Sequence, residues 1–372
     1  METVFIGAGA SKYFDIPTMK EFPEDFEKYL GDNGESNEKI LYKQIKVNLK
    51  ENGDLDLEAI LTILEDISEK ERFNRRFEHP SILYLLEESQ VNNIHELIEC
   101  NFKHHGKVAK RLKEKLKWFI RKKCFPENFK DKISLYTEFF DSIMPDYNLK
   151  MDIGRRKQRG RHCEIFTTNY DLCIENYSRM IKMPYTNGEK LTNGKDIVSI
   201  SKKSNKEFYS DDYSGFQIYK LHGSINWYKI RDSDIRTVIK WTMAPLEVGA
   251  KTFDYTEIES ELMIYPVQEK QIYKDPFSDM FIRLKESLEL SDYCFVVGYS
   301  FRDEEIRGIF DDAMFERDKK GRKTKIFLID PNAEANIENR LKSINEFENV
   351  KIEPINREFS IQAINDLQGM IK

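Results

Sequence analysis

The segment VFIGAGASKYFDIPTM at residues 4–19 constrains the fold of this chain more than any other. An apolar strand runs directly into a turn of small residues: Gly7, Ala8, Gly9, Ala10 and Ser11. Small residues let backbone N–H groups approach a phosphate, and the start of a following helix adds positive electrostatic potential. The pattern predicts a strand, a phosphate-binding turn and a helix. The alternative is a tight strand-to-helix turn that binds nothing.

This turn departs from the dinucleotide-binding fingerprint of classical dehydrogenases. Residues 12–15 contain no third glycine. No acidic residue is well placed after a second strand, about 20 positions further on. These two departures disfavour a Rossmann dehydrogenase.

Composition excludes several classes of protein. The 372 residues are 40% hydrophobic and include 25 Phe and 18 Tyr, which is enough to bury the core of one large or two ordinary domains. The formal net charge is −6. An acidic chain is not typical of a nucleic-acid binder, and no apolar run approaches the ~20 residues of a membrane span. We therefore expect neither direct nucleic-acid binding nor membrane contact.

The cysteine pattern predicts a protein without a metal site. Five cysteines are scattered along the chain and none forms a Cys-x-x-Cys pair. The amino terminus enters a strand with no leader-like segment. An odd number of unpaired cysteines is typical of the reduced cytosol, so we expect a cytoplasmic location.

Further stretches resemble buried strands that end in polar residues: CEIFTTNYD (163–171), FQIYKLHGS (216–224), YCFVVGYSF (293–301) and TKIFLIDPN (324–332). Continuous β-branched and aromatic runs of this length favour central strands of a parallel sheet. The predicted fold is α/β, a Rossmann-like parallel sheet with helices on both faces. Open sheets of this kind bind ligands at the carboxyl ends of their strands.

A helical insertion is predicted after the first strand. Apolar residues recur at helical spacing at 57, 60, 61, 64 and 67, and again at 112, 116, 119 and 120. We expect residues 21–159 to form a helical module, and residues 1–20 and 160–372 to form the sheet domain. The polar region from 183 to 215 is either a flexible lid or a solvated connection.

The motifs GAGASKYFDIP, TTNYD, LHGSIN, VVGYS and LIDPN, in this order, resemble the successive NAD-binding motifs of the sirtuin family. They more closely resemble its divergent branch of bacterial sirtuin-like domains in anti-phage defence proteins. The resemblance implies that NAD⁺ is bound as a substrate. It also implies that Asn169 is the active-site asparagine and His222 the catalytic histidine. The cofactor-binding residues it implies are Gly7, Ala8, Gly9, Ser11, Thr168, Asp171, Gly298, Ser300 and Asp330.

The chain also departs from the sirtuin deacylases. They carry two cysteine pairs for structural zinc after the histidine, whereas residues 223–293 contain no cysteine. The Asp-Phe-Arg that follows Ile-Pro in the family is replaced by Thr18, Met19 and Lys20, and Thr168 stands where the family has Gln. These differences disfavour protein deacylation.

The residue types fit the cleavage of an N-glycosidic bond. Nicotinamide leaves without needing a proton, so orientation and a placed water matter more than a strong acid. An Asn amide can hold a ribose hydroxyl and a water, and a His can accept a proton near neutral pH. Taken singly, Asn169 could instead be a helix cap and His222 a structural histidine. Asp171 and Asp330 could likewise be turn or strand-ending residues.

We therefore predict a hydrolase, an NAD⁺ glycohydrolase that depletes NAD⁺ in anti-phage defence. The alternatives are a regulatory module that binds NAD or ADP-ribose, and a protein-lysine deacylase. An unrestrained enzyme of this kind would be toxic, so we expect a homo-oligomer held by the apolar stripes of the insertion, and a separate partner protein. A HerA-type ATPase or an Argonaute-like protein would fit. The basic stretches 103–123 and 155–161 are either solvated surface or available for an acidic partner surface, a nucleic acid or steering of the anionic dinucleotide.

Overall fold

A computed structural model describes residues 2–51, 55–73, 94–125, 129–144, 162–183, 185–186, 215–230, 241–243, 258–263 and 277–371. The chain divides into two compact units. One comprises Met1–Ile16, Pro126–Met263 and Ile272–Lys372, and the other comprises Pro17–Phe125 and Ile264–Gln271. The predicted basic stretch 155–161, and the region 183–215 except for its two ends and a two-residue strand, lie outside the described residues.

The strands all belong to the first unit: β1 (Glu2–Ile6), β2 (His162–Thr167), β3 (Tyr185–Thr186), β4 (Gly215–Lys220), β5 (Gly223–Ile230), β6 (Trp241–Met243), β7 (Ile258–Met263), β8 (Tyr293–Val297), β9 (Thr324–Ile329) and β10 (Val350–Ile355). A seven-stranded sheet has the order β10-β9-β8-β1-β2-β4-β3, and its strands pair in parallel. Strands β5, β6 and β7 form a smaller antiparallel sheet.

The helices, in chain order, are α1 (Ala8–Ser11), α2 (Phe22–Asn33), α3 (Ser36–Glu51), α4 (Leu57–Phe73), α5 (Ile94–Lys123), α6 (Phe129–Lys132), α7 (Ser134–Ile143), α8 (Cys173–Met180), α9 (Phe277–Leu290), α10 (Glu304–Lys319), α11 (Ala333–Arg340), α12 (Lys342–Asn345) and α13 (Ile361–Ile371). A 3₁₀ turn, Lys12–Phe14, follows α1. The predicted α/β fold, a parallel Rossmann-like sheet with helices around it, is confirmed. No helix in the described part of the chain is long and apolar enough to cross a membrane.

The register of the parallel sheet brings the ends of five strands to one edge. Ile6 lies opposite both Thr167 and Val297. Thr167 in turn lies opposite Lys220, and Val297 lies opposite Ile329. The order of the strands reverses at β1, because β2 and β4 lie on one side of this strand and β8 and β9 lie on the other. Such a reversal point is where open parallel sheets bind ligands.

Helix α7 groups with the sheet unit and not with the helical one. Phe140 lies 4.7 Å from Phe216 of β4, measured between ring centroids. Phe139 and Tyr136 contact Phe359, which precedes α13, at 5.4 and 5.9 Å. The predicted module 21–159 therefore begins near the observed change at Pro17 but extends beyond Phe125, where the compact helical unit ends.

The helical unit has its own core. The apolar positions predicted on α4 and α5 are buried, among them Ile60, Leu64, Leu112 and Leu116 at 2% exposure or less. At roughly 25 cal/mol per Å² of apolar surface, this burial is the main force that orders the four helices. These side chains are therefore not available for the oligomer contact that the sequence suggested.

Several basic residues of the stretch on α5 are paired within the helical unit. Glu38 is fully buried and lies 2.6 Å from Lys115 and 3.6 Å from Arg111. Burial raises the pKa of Glu38, but the hydrogen bond from Lys115 and the nearby positive charges outweigh this and lower it overall. Lys113 pairs with Glu65 at 2.8 Å. These pairs give Arg111, Lys113 and Lys115 a structural role within the unit.

Candidate active site

Two glycine turns meet at the sheet edge and pack backbone against backbone. Gly7 N–H donates to the Val297 carbonyl and Gly9 N–H donates to the Gly298 carbonyl, both at 2.9 Å. A Cβ on Gly7 would lie 2.5 Å from the Gly298 oxygen, and a Cβ on Gly298 would lie 2.2 Å from Ala10 N. Glycine is needed at these positions because two main chains cross, and Gly298 also has a φ of +63°.

Replacing Gly298 with alanine should therefore destabilise the sheet unit strongly. Gly321→Ala is a matched control, because Gly321 has a φ of +64° but nothing within 4 Å of its Cβ position. We expect G321A to cost about 1–2 kcal/mol from the left-handed backbone alone. G298A should cost about 4 kcal/mol or more, because a backbone clash adds to the strain. Urea unfolding of both variants measures the difference, and equal losses would contradict the crossing.

The amide of Asn169 is held in one orientation. Its Nδ2 donates to the Gly7 carbonyl and to Ser11 Oγ, both at 2.8 Å. A carbonyl oxygen only accepts hydrogen bonds, so the NH₂ group must face it. Thr167 Oγ1 accepts from Asn169 N at 3.0 Å and donates to the Ile6 carbonyl at 2.8 Å, which fixes the backbone. The remaining group, Oδ1, has no hydrogen-bond partner among the described residues.

Asp171 fixes the other end of this network. Its Oδ2 accepts from Ser11 Oγ at 2.6 Å, and its Oδ1 accepts from Cys173 N at 2.9 Å. Its main-chain carbonyl accepts a hydrogen bond from Lys220 Nζ, and this amine lies 3.7 Å from the buried Glu175 carboxylate. Ser11, Asp171 and Lys220 are all at most 5% exposed. The chain Asp171–Ser11–Asn169 is thus a buried, directional hydrogen-bond network.

His222 lies at the same edge, one strand further. Thr167 of β2 and Lys220 of β4 are register partners. Asn169 lies two residues after Thr167, and His222 lies two residues after Lys220. The His222 Nε2 lies 3.3 Å from Asp303 Oδ2, without the alignment of a hydrogen bond. Asp303 is the N-cap of α10, where its Oδ1 accepts from Glu305 N and Ile306 N. The buried ring therefore lies beside a carboxylate that is held in place by its N-cap bonds.

The residues after β8 and β9 lie on the other side of β1. Asp330 Oδ1 accepts from Asn332 N at 2.9 Å and from Asn336 Nδ2 at 3.2 Å. Burial raises the pKa of Asp330, and the charges of Arg340 and Arg302 act in the opposite direction. The Ser300 carbonyl accepts from Arg340 Nη1 at 2.6 Å.

The structure thus joins part of the predicted residue set directly. Gly7, Ser11, Asn169 and Asp171 share one network. Gly9 and Gly298 share another contact. The remaining predicted residues lie one to three positions after strands that end at the same edge: Ala8, Thr168, His222, Ser300 and Asp330.

Sequence reasoning missed several residues of the site: Thr167, Lys220, Asp303, Arg302 and Arg340. The pattern Asp-Glu-Glu at 303–305 ahead of an apolar helix is a recognisable N-cap signal. No sequence signal pairs Asp303 with His222, because 81 positions separate them.

The cysteines of the described residues do not form a metal site. Cys124, Cys163, Cys173 and Cys294 are free and buried. Burial raises the thiol pKa of the last three, so these are protonated thiols at neutral pH. Within the part of the chain that the structure describes, no group of His, Cys, Asp or Glu could hold a metal ion.

No curated protein matches the chain. A crystal structure of a Sir2 homolog–NAD complex is 10% identical, with a TM-score of 0.40, and the alignment covers 100% of this chain and 90% of that one. Sir2Tm bound to a propionylated peptide is 11% identical, with a TM-score of 0.32 and coverage of 100% and 94%. A family model described as a SIR2-like domain matches residues 163–355. This match spans more than half of the sequence, so the chain belongs to the SIR2-like domain family.

Proposed function

We propose that this protein is an NAD⁺ glycohydrolase that splits NAD⁺ into nicotinamide and ADP-ribose. The observation that carries the proposal is the fixed amide of Asn169. Both of its N–H groups are used by Gly7 and Ser11, so Oδ1 is left as an acceptor at the strand edge. An acceptor held in place suits a ribose hydroxyl or an attacking water, whose proton must point at it.

The reaction needs such positioning. As the bond to nicotinamide breaks, the ribose acquires oxocarbenium character and nicotinamide departs as a neutral base. When the site already holds a water or hydroxyl in line with the breaking bond, the entropy cost of bringing it from solution is no longer part of the barrier. The Asp171–Ser11–Asn169 network provides this rigidity without reorganisation during the reaction.

His222 is proposed to accept the proton that the attacking water or a ribose hydroxyl loses. Imidazole is the side chain suited to proton transfer near neutral pH. When the ring becomes positively charged, Asp303 Oδ2 at 3.3 Å stabilises it. Under this proposal the His222 ring accepts the proton, and Asp303 acts as a positioning residue.

The glycine turns provide space for the pyrophosphate. The N–H groups of Gly7 and Gly9 donate to Val297 and Gly298, so they hold the two turns together. Ala8, at the start of α1, is then the backbone position left to donate to a phosphate. Under this proposal Ser300 and Asp330 contact the adenosine end of the dinucleotide.

The experiment that tests the proposed reaction is product analysis in H₂¹⁸O. Hydrolysis places one heavy oxygen on the anomeric carbon of ADP-ribose, and mass spectrometry detects it. Addition of an acetylated peptide separates the alternatives, since a deacylase would yield acyl-ADP-ribose and consume the peptide. A regulatory NAD-binding module would return NAD⁺ intact. Either of these outcomes would contradict the proposal.

Chelation is expected to leave the reaction unchanged. The proposed roles are filled by an amide, an imidazole and main-chain groups, none of which needs a metal ion. Turnover after dialysis against EDTA should match that of the untreated protein. A loss that added Mg²⁺ or Zn²⁺ restores would require a different mechanism.

The biological setting is proposed from the sirtuin-like resemblance. We propose that NAD⁺ depletion serves anti-phage defence in the cytoplasm, with a homo-oligomer restrained by a separate protein such as a HerA-type ATPase or an Argonaute-like protein. Size-exclusion chromatography with light scattering tests the oligomer. A monomer at micromolar concentration that is fully active alone would contradict this part.

A further inference from the structure

Lys220, the last residue of β4, extends its amine to the segment that follows β2. Its Nζ donates a hydrogen bond to the main-chain carbonyl of Asp171 and lies 3.7 Å from the Glu175 carboxylate. The side chains of Lys220 and Glu175 are both buried. His222 lies two residues after Lys220 along the chain. One lysine therefore joins the segment that carries His222 to the segment that carries Asn169.

Main-chain hydrogen bonds join the same two parts of the chain. Leu221 N–H donates to the Thr167 carbonyl at 2.9 Å. Ile225 N–H donates to the Tyr170 carbonyl at 3.0 Å. The next carbonyl along the chain, that of Asp171, accepts from the lysine side chain instead. This side chain therefore continues a connection that main-chain groups begin, and it does so where the hydrogen-bond network of the site begins.

The Lys220–Glu175 pair is poorly explained by stability alone. Burying an amine and a carboxylate costs free energy, which their attraction recovers only with close geometry and further hydrogen bonds. The two groups are 3.7 Å apart, and neither Glu175 oxygen accepts a hydrogen bond from the residues that the structure describes. Two apolar side chains of similar volume often cost no stability in such a position. The hydrogen bond to Asp171 explains the lysine better.

We propose that Lys220 is a positioning residue of the proposed reaction. It holds Asp171, whose carboxylate accepts from the Ser11 hydroxyl, and this hydroxyl accepts from the Asn169 amide. The inference rests on the proposed function, in which Asn169 and His222 act on the same dinucleotide. It goes further by naming a residue behind both groups that controls their geometry.

The position of Asp171 matters because the Ser11 hydroxyl has a single proton. That proton is donated to Asp171 Oδ2 at 2.6 Å, which leaves a lone pair for Asn169 Nδ2 at 2.8 Å. If the carboxylate moves, the hydroxyl can turn and the amide loses one of its two anchors. A displacement of about 1 Å in a group that positions a reactant can lower a rate about 100-fold.

The test removes the lysine without leaving a buried charge. In the double variant K220M/E175L, two apolar side chains of similar volume replace the pair, so the protein should unfold near the wild-type temperature. The kcat for nicotinamide release should fall about 10–100-fold, while KM changes less than about threefold. K220M alone strands Glu175 and should unfold at a lower temperature. A folded double variant with the wild-type kcat would overturn the proposal.

Arg317→Lys is the matched control. Arg317 is also buried and also donates to main-chain carbonyls, those of Glu289 and Lys323. These carbonyls precede β8 and β9, at the opposite edge of the sheet from the candidate site. R317K should lower the unfolding temperature and leave kcat unchanged. An equal loss of kcat in R317K would overturn the proposal, because instability of the sheet unit would then explain the effect.

A second measurement does not depend on turnover. The side-chain NH₂ signal of Asn169 in a ¹⁵N NMR spectrum, assigned by its absence from N169A, reports how fast these protons exchange with water. Both protons are hydrogen-bonded and should exchange slowly in the wild-type protein and in R317K. In K220M/E175L we expect exchange at least about tenfold faster, since one anchor is loosened. Equal exchange would overturn the proposal.

These outcomes separate the inference from the proposed function. Faster exchange in K220M/E175L, in a protein that releases no nicotinamide, would support the link from Lys220 to Asn169 and contradict the glycohydrolase. Release of nicotinamide at equal rates by the wild-type protein and the double variant would support the glycohydrolase and contradict the role of Lys220.

Discussion

Replacing Asn169 with alanine is expected to lower nicotinamide release from NAD⁺ by about 10²–10³-fold or more, because it removes a fixed acceptor used in the transition state. The effect should fall on kcat, while dinucleotide binding changes much less. The measurement is steady-state kinetics, with thermal unfolding to confirm that the variant is folded. Asn176→Ala is the matched control, since Asn176 lies on α8 and only accepts a hydrogen bond from Arg179 at the surface.

Asn169→Asp makes the test sharper. The side chain keeps its shape, but a carboxylate oxygen then faces the Gly7 carbonyl in place of the Nδ2 donor. Two acceptors repel each other, so the orientation of the group is lost and turnover should fall as in N169A. A folded N169A or N169D protein with near-normal turnover would show that the fixed amide has no part in the reaction.

His222→Ala is expected to lower kcat by about 10²–10⁴-fold, the range for loss of a proton-transfer group. Added imidazole should restore part of the turnover, because a small base can enter the space left by the ring. A structural role would predict no such rescue.

Asp303→Asn separates the histidine from its neighbouring carboxylate. The amide can still accept the N-cap bonds from Glu305 and Ile306, so α10 should persist. The charge 3.3 Å from His222 Nε2 is removed. We expect a smaller loss of kcat than in H222A, because the ring remains and only the neighbouring charge is lost. A kcat equal to that of the wild-type protein would remove Asp303 from the mechanism.

The placement of the candidate site residues at strand ends was largely predictable. Asn169, His222, Gly298 and Asp330 each follow a buried apolar run, and parallel strands end at a common edge. Helical periodicity likewise gave the buried positions of α4 and α5, because it reports which side of a helix is apolar.

Periodicity does not report what an apolar face packs against. For this reason periodicity alone does not assign α7 to either unit, whereas in the structure Phe140 of this helix packs on Phe216 of the sheet unit. The contact of His222 with Asp303 was not predictable either, because it forms between two segments that are distant in sequence. The network from Asp171 through Ser11 to Asn169 could not be predicted from the sequence, because residues 160 positions apart meet only once the sheet forms.

The most direct test of the central claim is nicotinamide release by the purified chain at saturating NAD⁺, followed by chromatography. The account predicts many turnovers per protein molecule, with nicotinamide and ADP-ribose formed in equal amounts, and loss of both products in N169A. NAD⁺ that binds to the wild-type protein and is recovered intact would contradict it.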